Sequence, residues 1–84
     1  MGQKEKALRR LVALPKDMKF EELVTILRFF QYELNNKGKT SGSRVQFKRD
    51  GYPSIRIHKP HDGKPVWKLD LEEIVKLLKE VKLL

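Results

Sequence analysis

"RVQFKRDGYPSIRIH", residues 44–58, decides the fold. Val45 and Phe47 alternate with Arg44, Gln46 and Lys48; Ile55 and Ile57 alternate with Ser54, Arg56 and His58. Period-two alternation puts one face of each strand in a core and leaves the other face wet. The stretch between them, "KRDGYP", is a turn. A two-residue Asp50-Gly51 loop would set Phe47 against Ser54 and mix wet with buried side chains. A one-residue slip flips every side chain, so the pattern rejects that register. The spacing instead predicts Phe47 opposite Ile55, Val45 opposite Ile57 and Arg44 opposite His58, joined by an odd loop or a Gly51 bulge. Arg44, Gln46, Lys48, Arg56 and His58 then share the wet face.

Working outward, the flanking segments read as helices. In "QKEKALRRLVAL", Ala7, Leu8, Leu11 and Val12 recur at helical spacing, and Pro15 ends the segment. In "FEELVTILRFF", Phe20, Leu23, Val24, Leu27 and Phe30 form an apolar stripe, with Glu21 and Glu22 in the first turn where the helix dipole favours acids. This helix is expected from about Met18 to about Phe30. "QYELNN" is a short strand candidate and "KGKTSGS" a loop. A last helix near Leu69–Leu83 turns Leu71, Ile74, Val75, Leu78 and Val81 inward, with Leu77 beside the stripe; Trp67 is expected to cap the core, with stacking on a base as the lesser reading. The expected class is α+β: helix, three antiparallel strands and helix, with the helices on one face and a short extra helix in front. Residues 1–17 form the N-terminal extension and 18–84 the domain proper.

Composition bounds the function. The 84 residues suffice for one modest core, and with no Cys the chain relies on apolar burial. No apolar run approaches the roughly 18 residues of a membrane span. Arg9 and Arg10 interrupt the one apolar stretch near the N-terminus, so a cytoplasmic protein with no membrane partner is expected. The net charge is +8, and residues 37–68 hold nine basic and two acidic side chains, net +7. Such a concentration attracts nucleic acid, an acidic protein or an anionic membrane surface; a merely solubilising surface is the plain alternative.

The chemistry narrows by elimination. There is no P-loop, no G-x-G-x-x-G and no His-Glu pair at metal spacing. His58 and His61 are separated by Pro60, which holds the segment extended, and the Lys and Arg around Asp62 disfavour a cation. No metal or cofactor is expected. What remains is chemistry on a polyanion. RNA carries its own nucleophile, the 2′-hydroxyl, so an enzyme needs only an acid–base group and cations for the charge developing on phosphorus. Histidine titrates near neutrality and arginine matches phosphate oxygens in a bidentate fork. His58 beside Arg44 meets that minimum, although a solvated surface histidine fits the spacing as well.

"SGSRVQF" (41–47), "IRIHKPH" (55–61) and "LDLEEIVKLL" (69–78) together resemble the HicA family of bacterial toxins, over about residues 18 to 83. The resemblance implies a fold like a double-stranded-RNA-binding domain and a ribonuclease that cuts messenger RNA and arrests growth. It also implies a HicB-type antitoxin that binds the toxin and covers its active site, so that the chain is a monomer when free or a heteromer with that partner. The family's motif is Gly-Ser-His on the second strand; here Gly42 and Ser43 match, and Arg44 stands where the catalytic histidine would be. An arginine, with a pKa above about 12, is no general base near neutrality. The acid–base role then passes to His58 across the ladder. His61, matching a Pro-His at the end of the family's third strand, is the second candidate. Arg44 would clamp the phosphate with Ser43 as hydrogen-bonding helper, and Lys39, Arg44, Lys48, Arg56, Lys59 and Lys64 would hold the RNA backbone. A non-catalytic RNA-binding module of the same fold is the alternative, and a patch that chiefly docks an acidic protein is a third.

Overall fold

The middle strand organises the structure, a computed structural model that describes residues 2–35, 44–60 and 63–84. Lys39, Ser43 and His61 lie outside the described residues. The chain is α+β, in the order α1 (Gln3–Val12), α2 (Phe20–Phe29), β1 (Glu33–Asn35), β2 (Arg44–Lys48), β3 (Ile55–His58) and α3 (Lys68–Glu80). The strands form one open antiparallel sheet, β1-β2-β3. Phe47 pairs with Leu34 on one side and Ile55 on the other, Val45 with Ile57, and Arg44 with His58. This is the register that the burial alternation requires, since Val45, Phe47, Ile55 and Ile57 are all buried. Between the last partners, Phe47 and Ile55, lie the seven residues 48–54, the odd number that register demands. Its tip closes through the Tyr52 N–H donating to the Arg49 carbonyl at 3.1 Å, with Gly51 at φ 82° where a side chain would be strained.

The apolar sheet face is covered by α2 and α3, with α1 lying against both helices. Phe47, Leu23, Leu27, Leu71, Ile74 and Leu78 are essentially inaccessible and close one continuous core. Each buried side chain of this size contributes roughly 1.5–3 kcal/mol relative to exposure. From α1, only Leu11 is fully buried; Val12, expected to face inward, is 42% exposed. On α2, Ile26 joins the stripe while Val24 is only partly covered. α2 starts at Phe20 rather than Met18 because Lys19 is extended, yet Met18 is still buried. Val66 takes the core-capping place expected of Trp67, and its N–H donates to the Met18 carbonyl at 2.8 Å. Tyr32, read from sequence only as part of a strand, is buried; its hydroxyl donates to the Pro53 carbonyl at 2.8 Å. Burial pushes its phenol above the ordinary value, with nearby Arg49 opposing.

Polar ties pin the elements to one another. Arg10 of α1 donates to Glu22 in the first turn of α2 and to Asp17, which keeps its guanidinium firmly charged. Arg49 donates to the Phe30 carbonyl at 2.9 Å and lies 4.1 Å from the Tyr52 ring centroid, fastening the hairpin tip to the end of α2. Both α2 and α3 end in the same way. Tyr32 N–H returns to the Leu27 carbonyl and Leu83 N–H to the Leu78 carbonyl, each past a left-handed residue, Gln31 at φ 68° and Lys82 at φ 62°. That closure favours glycine, because a Cβ in the left-handed region costs about 1–2 kcal/mol. Gln31 is exposed, so Gln31→Gly is expected to stabilise the domain by about 0.5–1 kcal/mol net of the entropy glycine loses on folding. Urea unfolding of the two proteins checks it; an unchanged or lowered midpoint would rule out strain at this corner.

Candidate nucleic-acid interface

The sheet face opposite the helices is built by the same alternation that builds the core. Arg44, Lys48 and Arg56 are exposed on it, with Gln46 between them and His58 at its end. Gln46 pairs with Arg56 on one side and Asn35 on the other, and Lys48 pairs with Glu33, the acidic residue that β1 contributes to this face. Among the described residues these three cations have no ion-pair partner.

His58 ends β3 in a more structured setting than a solvated strand terminus. Its backbone N–H donates to Asp70 Oδ2 at 3.1 Å, so it points away from β2 and the Arg44–His58 pair is of the non-hydrogen-bonded kind. Side chains approach most closely in such pairs. Asp70 stands in the first turn of α3, where the helix dipole also favours its charge. The same Oδ2 lies 3.7 Å from His58 Nδ1, which is buried and makes no hydrogen bond. The imidazole stacks on Trp67, ring centroids 4.8 Å apart and planes 20° from parallel. Since 41% of the His58 side chain is exposed while Nδ1 is not, the accessible edge is the one that carries Nε2.

This arrangement has a chemical consequence. A lone pair on Nδ1 would face a carboxylate oxygen, so the neutral ring is best satisfied with its proton on Nδ1 and its lone pair on Nε2. A carboxylate behind an imidazole, with the far nitrogen open to solvent, orients a general base and stabilises the imidazolium that forms.

The residues named from sequence divide into groups. Arg44, Lys48, Arg56 and His58 come together on one face. Lys59 turns to the helix side, its ammonium 5.5 Å from the Phe20 ring centroid, and with Lys64 and Lys19 lines a groove at the start of α2. Lys64 also borders a second groove with Lys16, Trp67 and Lys68. Sequence reasoning missed Asp70 and misplaced Trp67, whose indole is 54% exposed. An acid in the first turn of a helix was the signal for Asp70, but its partner lies twelve residues upstream. Among the described residues no three His, Asp or Glu side chains gather as metal ligands, and no helix is long and apolar enough to cross a membrane. The chain matches no protein-family model, no curated protein and no solved structure.

Asp70 therefore serves both the fold and the ring. Asp70→Ala is expected to cost about 1.5–3 kcal/mol, the range for a hydrogen bond to a charged group. It should also release the tautomer, which ring ¹⁵N shifts of His58 report directly. A wild-type ring with its proton on Nε2 would contradict the assignment.

Proposed function

We propose that the chain is a HicA-like ribonuclease toxin that cuts messenger RNA without a metal, on the cationic face of its sheet. The cross-strand pairing of Arg44 with His58, with Asp70 behind the imidazole, carries the reading. The element order, a helix, three antiparallel strands and a helix, is compatible with the double-stranded-RNA-binding-like fold that the resemblance implies. In this reaction His58 Nε2 takes the proton of a ribose 2′-hydroxyl as the 2′-oxygen bonds to the adjacent phosphorus. The bond from phosphorus to the 5′-oxygen breaks, that oxygen leaves with a proton from solvent, and the products are a 2′,3′-cyclic phosphate and a 5′-hydroxyl. Arg44 meets the phosphoryl oxygens with its planar fork, where the developing charge is best stabilised, and Lys48 and Arg56 hold the flanking backbone. A cytoplasmic setting and a HicB-like antitoxin, acidic enough to cover this face, belong to the same proposal.

A second reading has its own support: Arg44 occupies the family's histidine position, which suits an RNA-binding module that does not cut. Cleavage of a labelled messenger RNA in EDTA separates the two. The ribonuclease cuts, and His58→Ala slows cutting by about 10²–10⁴-fold while leaving RNA affinity in place. The binding module gives salt-sensitive affinity and no products. Cutting by His58→Ala at the wild-type rate would remove His58 from the site.

A further inference from the structure

Trp67 is the one tryptophan of the chain, and its large apolar ring is more than half exposed. It does not fill the core; Val66 does that immediately before it. One face of the indole is covered by the His58 ring, which fixes its orientation. The groove beside it is lined by Lys16, Lys64, Pro65, Val66, Trp67 and Lys68, three cations and no acid. Asp17, the nearest acid along the chain to Lys16, is engaged by Arg10. An aromatic face bordered by three lysines that have no ion-pair partner among the described residues suits a flat π-system tied to negative charge. Nucleobases on a phosphate backbone have that chemistry, because every base offers a π-face and each phosphate releases counterions to a lysine.

We infer that Trp67 is a stacking platform for an unpaired base, with Lys16, Lys64 and Lys68 holding the adjoining phosphates, so that the substrate of the proposed site is single-stranded RNA. The inference rests on the RNA reading above and adds the strand state of the ligand. In a duplex the bases are stacked on one another and cannot lie on an indole; A-form helices offer shape and backbone instead. The platform adjoins the candidate base, with the indole lying between a seated nucleobase and the His58 ring. Stacking of this kind is tolerant of base identity, and the site selects strand state rather than sequence.

Because Trp67 is unique, its fluorescence reports the platform alone. The probe is a short 2′-O-methyl RNA single strand, which cannot be cut, compared with the same strand annealed to its complement and with one made abasic throughout. The single strand is expected to quench emission in a saturable way, and the duplex and abasic strand to bind without comparable quenching. Trp67→Leu should weaken single-strand binding roughly five- to hundred-fold, the range for one stacked base, while Trp67→Phe keeps most of the affinity. Far-UV circular dichroism of both variants establishes that α3 is intact. Joint Lys64→Ala and Lys68→Ala substitution should flatten the salt dependence by about 0.7 for each phosphate deprived of its lysine. The platform is overturned if Trp67→Leu binds the single strand as tightly as wild type, or if duplex or an acidic peptide quenches as strongly. RNA cutting that survives a neutral Trp67→Leu would sink the platform and spare the ribonuclease. Quenching by a single strand with no cutting would do the reverse, and no RNA binding at all would end both.

Discussion

Phe47 sits in the middle strand with a strand on either side, and its ring has to be buried. It is completely inaccessible, paired with Leu34 and Ile55, and its ring lies 6.3 Å from that of Phe20. A phenyl group in that position leaves one choice of face for the whole strand, because neighbouring side chains must point the other way. Gln46 and Lys48 are therefore outside, and the pairing that keeps Ile55 beside Phe47 sets Arg44 opposite His58. The concentration of positive charge on one surface is thus a by-product of burying apolar side chains on the other. Core and interface are two readings of one alternation.

What alternation alone does not supply is the setting of the histidine. A side chain at the end of a solvated strand would have a free choice of rotamers. Here α3 arrives with Asp70 in its first turn and Trp67 just before it; Asp70 accepts from the His58 backbone N–H and lies beside Nδ1, and Trp67 covers one face of the ring. Docking of α3 onto the sheet, driven by Leu71, Ile74 and Leu78, thereby organises a polar site that none of those residues touches chemically.

The legibility of the sequence followed the range of the interactions. The strand pair, its register and its wet face could be read from residues 44–58, because burial with period two is a local signal and a wrong register is penalised at every residue. The apolar stripes of α2 and α3 were legible as well, although on α2 the buried face centres on Leu23, Leu27 and Phe30, which takes in Ile26 and leaves Val24 at the margin. Lys59 and Lys64 lie apart from Arg44: position 59 continues the parity of Ile55 and Ile57, so its side chain goes to the helix side, where it meets Phe20 and lines a groove with Lys64. Asp70 and Trp67 were unreadable as a site because their meeting with His58 depends on where a helix lands. Tyr32 was missed since its partner, the Pro53 carbonyl, lies 21 residues away.

The hydrogen bond from the His58 amide to Asp70 also bears on how the molecule behaves in a crowded solution. An open sheet ends in rows of unsatisfied amides that invite another chain to add a strand, the first step toward swapped dimers and fibrils. On β3 the Asp70 carboxylate occupies one of those amides, and Glu73 and Glu80 of α3 stand along the same margin. On the opposite margin, β1 has three described residues, Glu33–Asn35. Both margins of the open sheet thus offer little free backbone to a further strand.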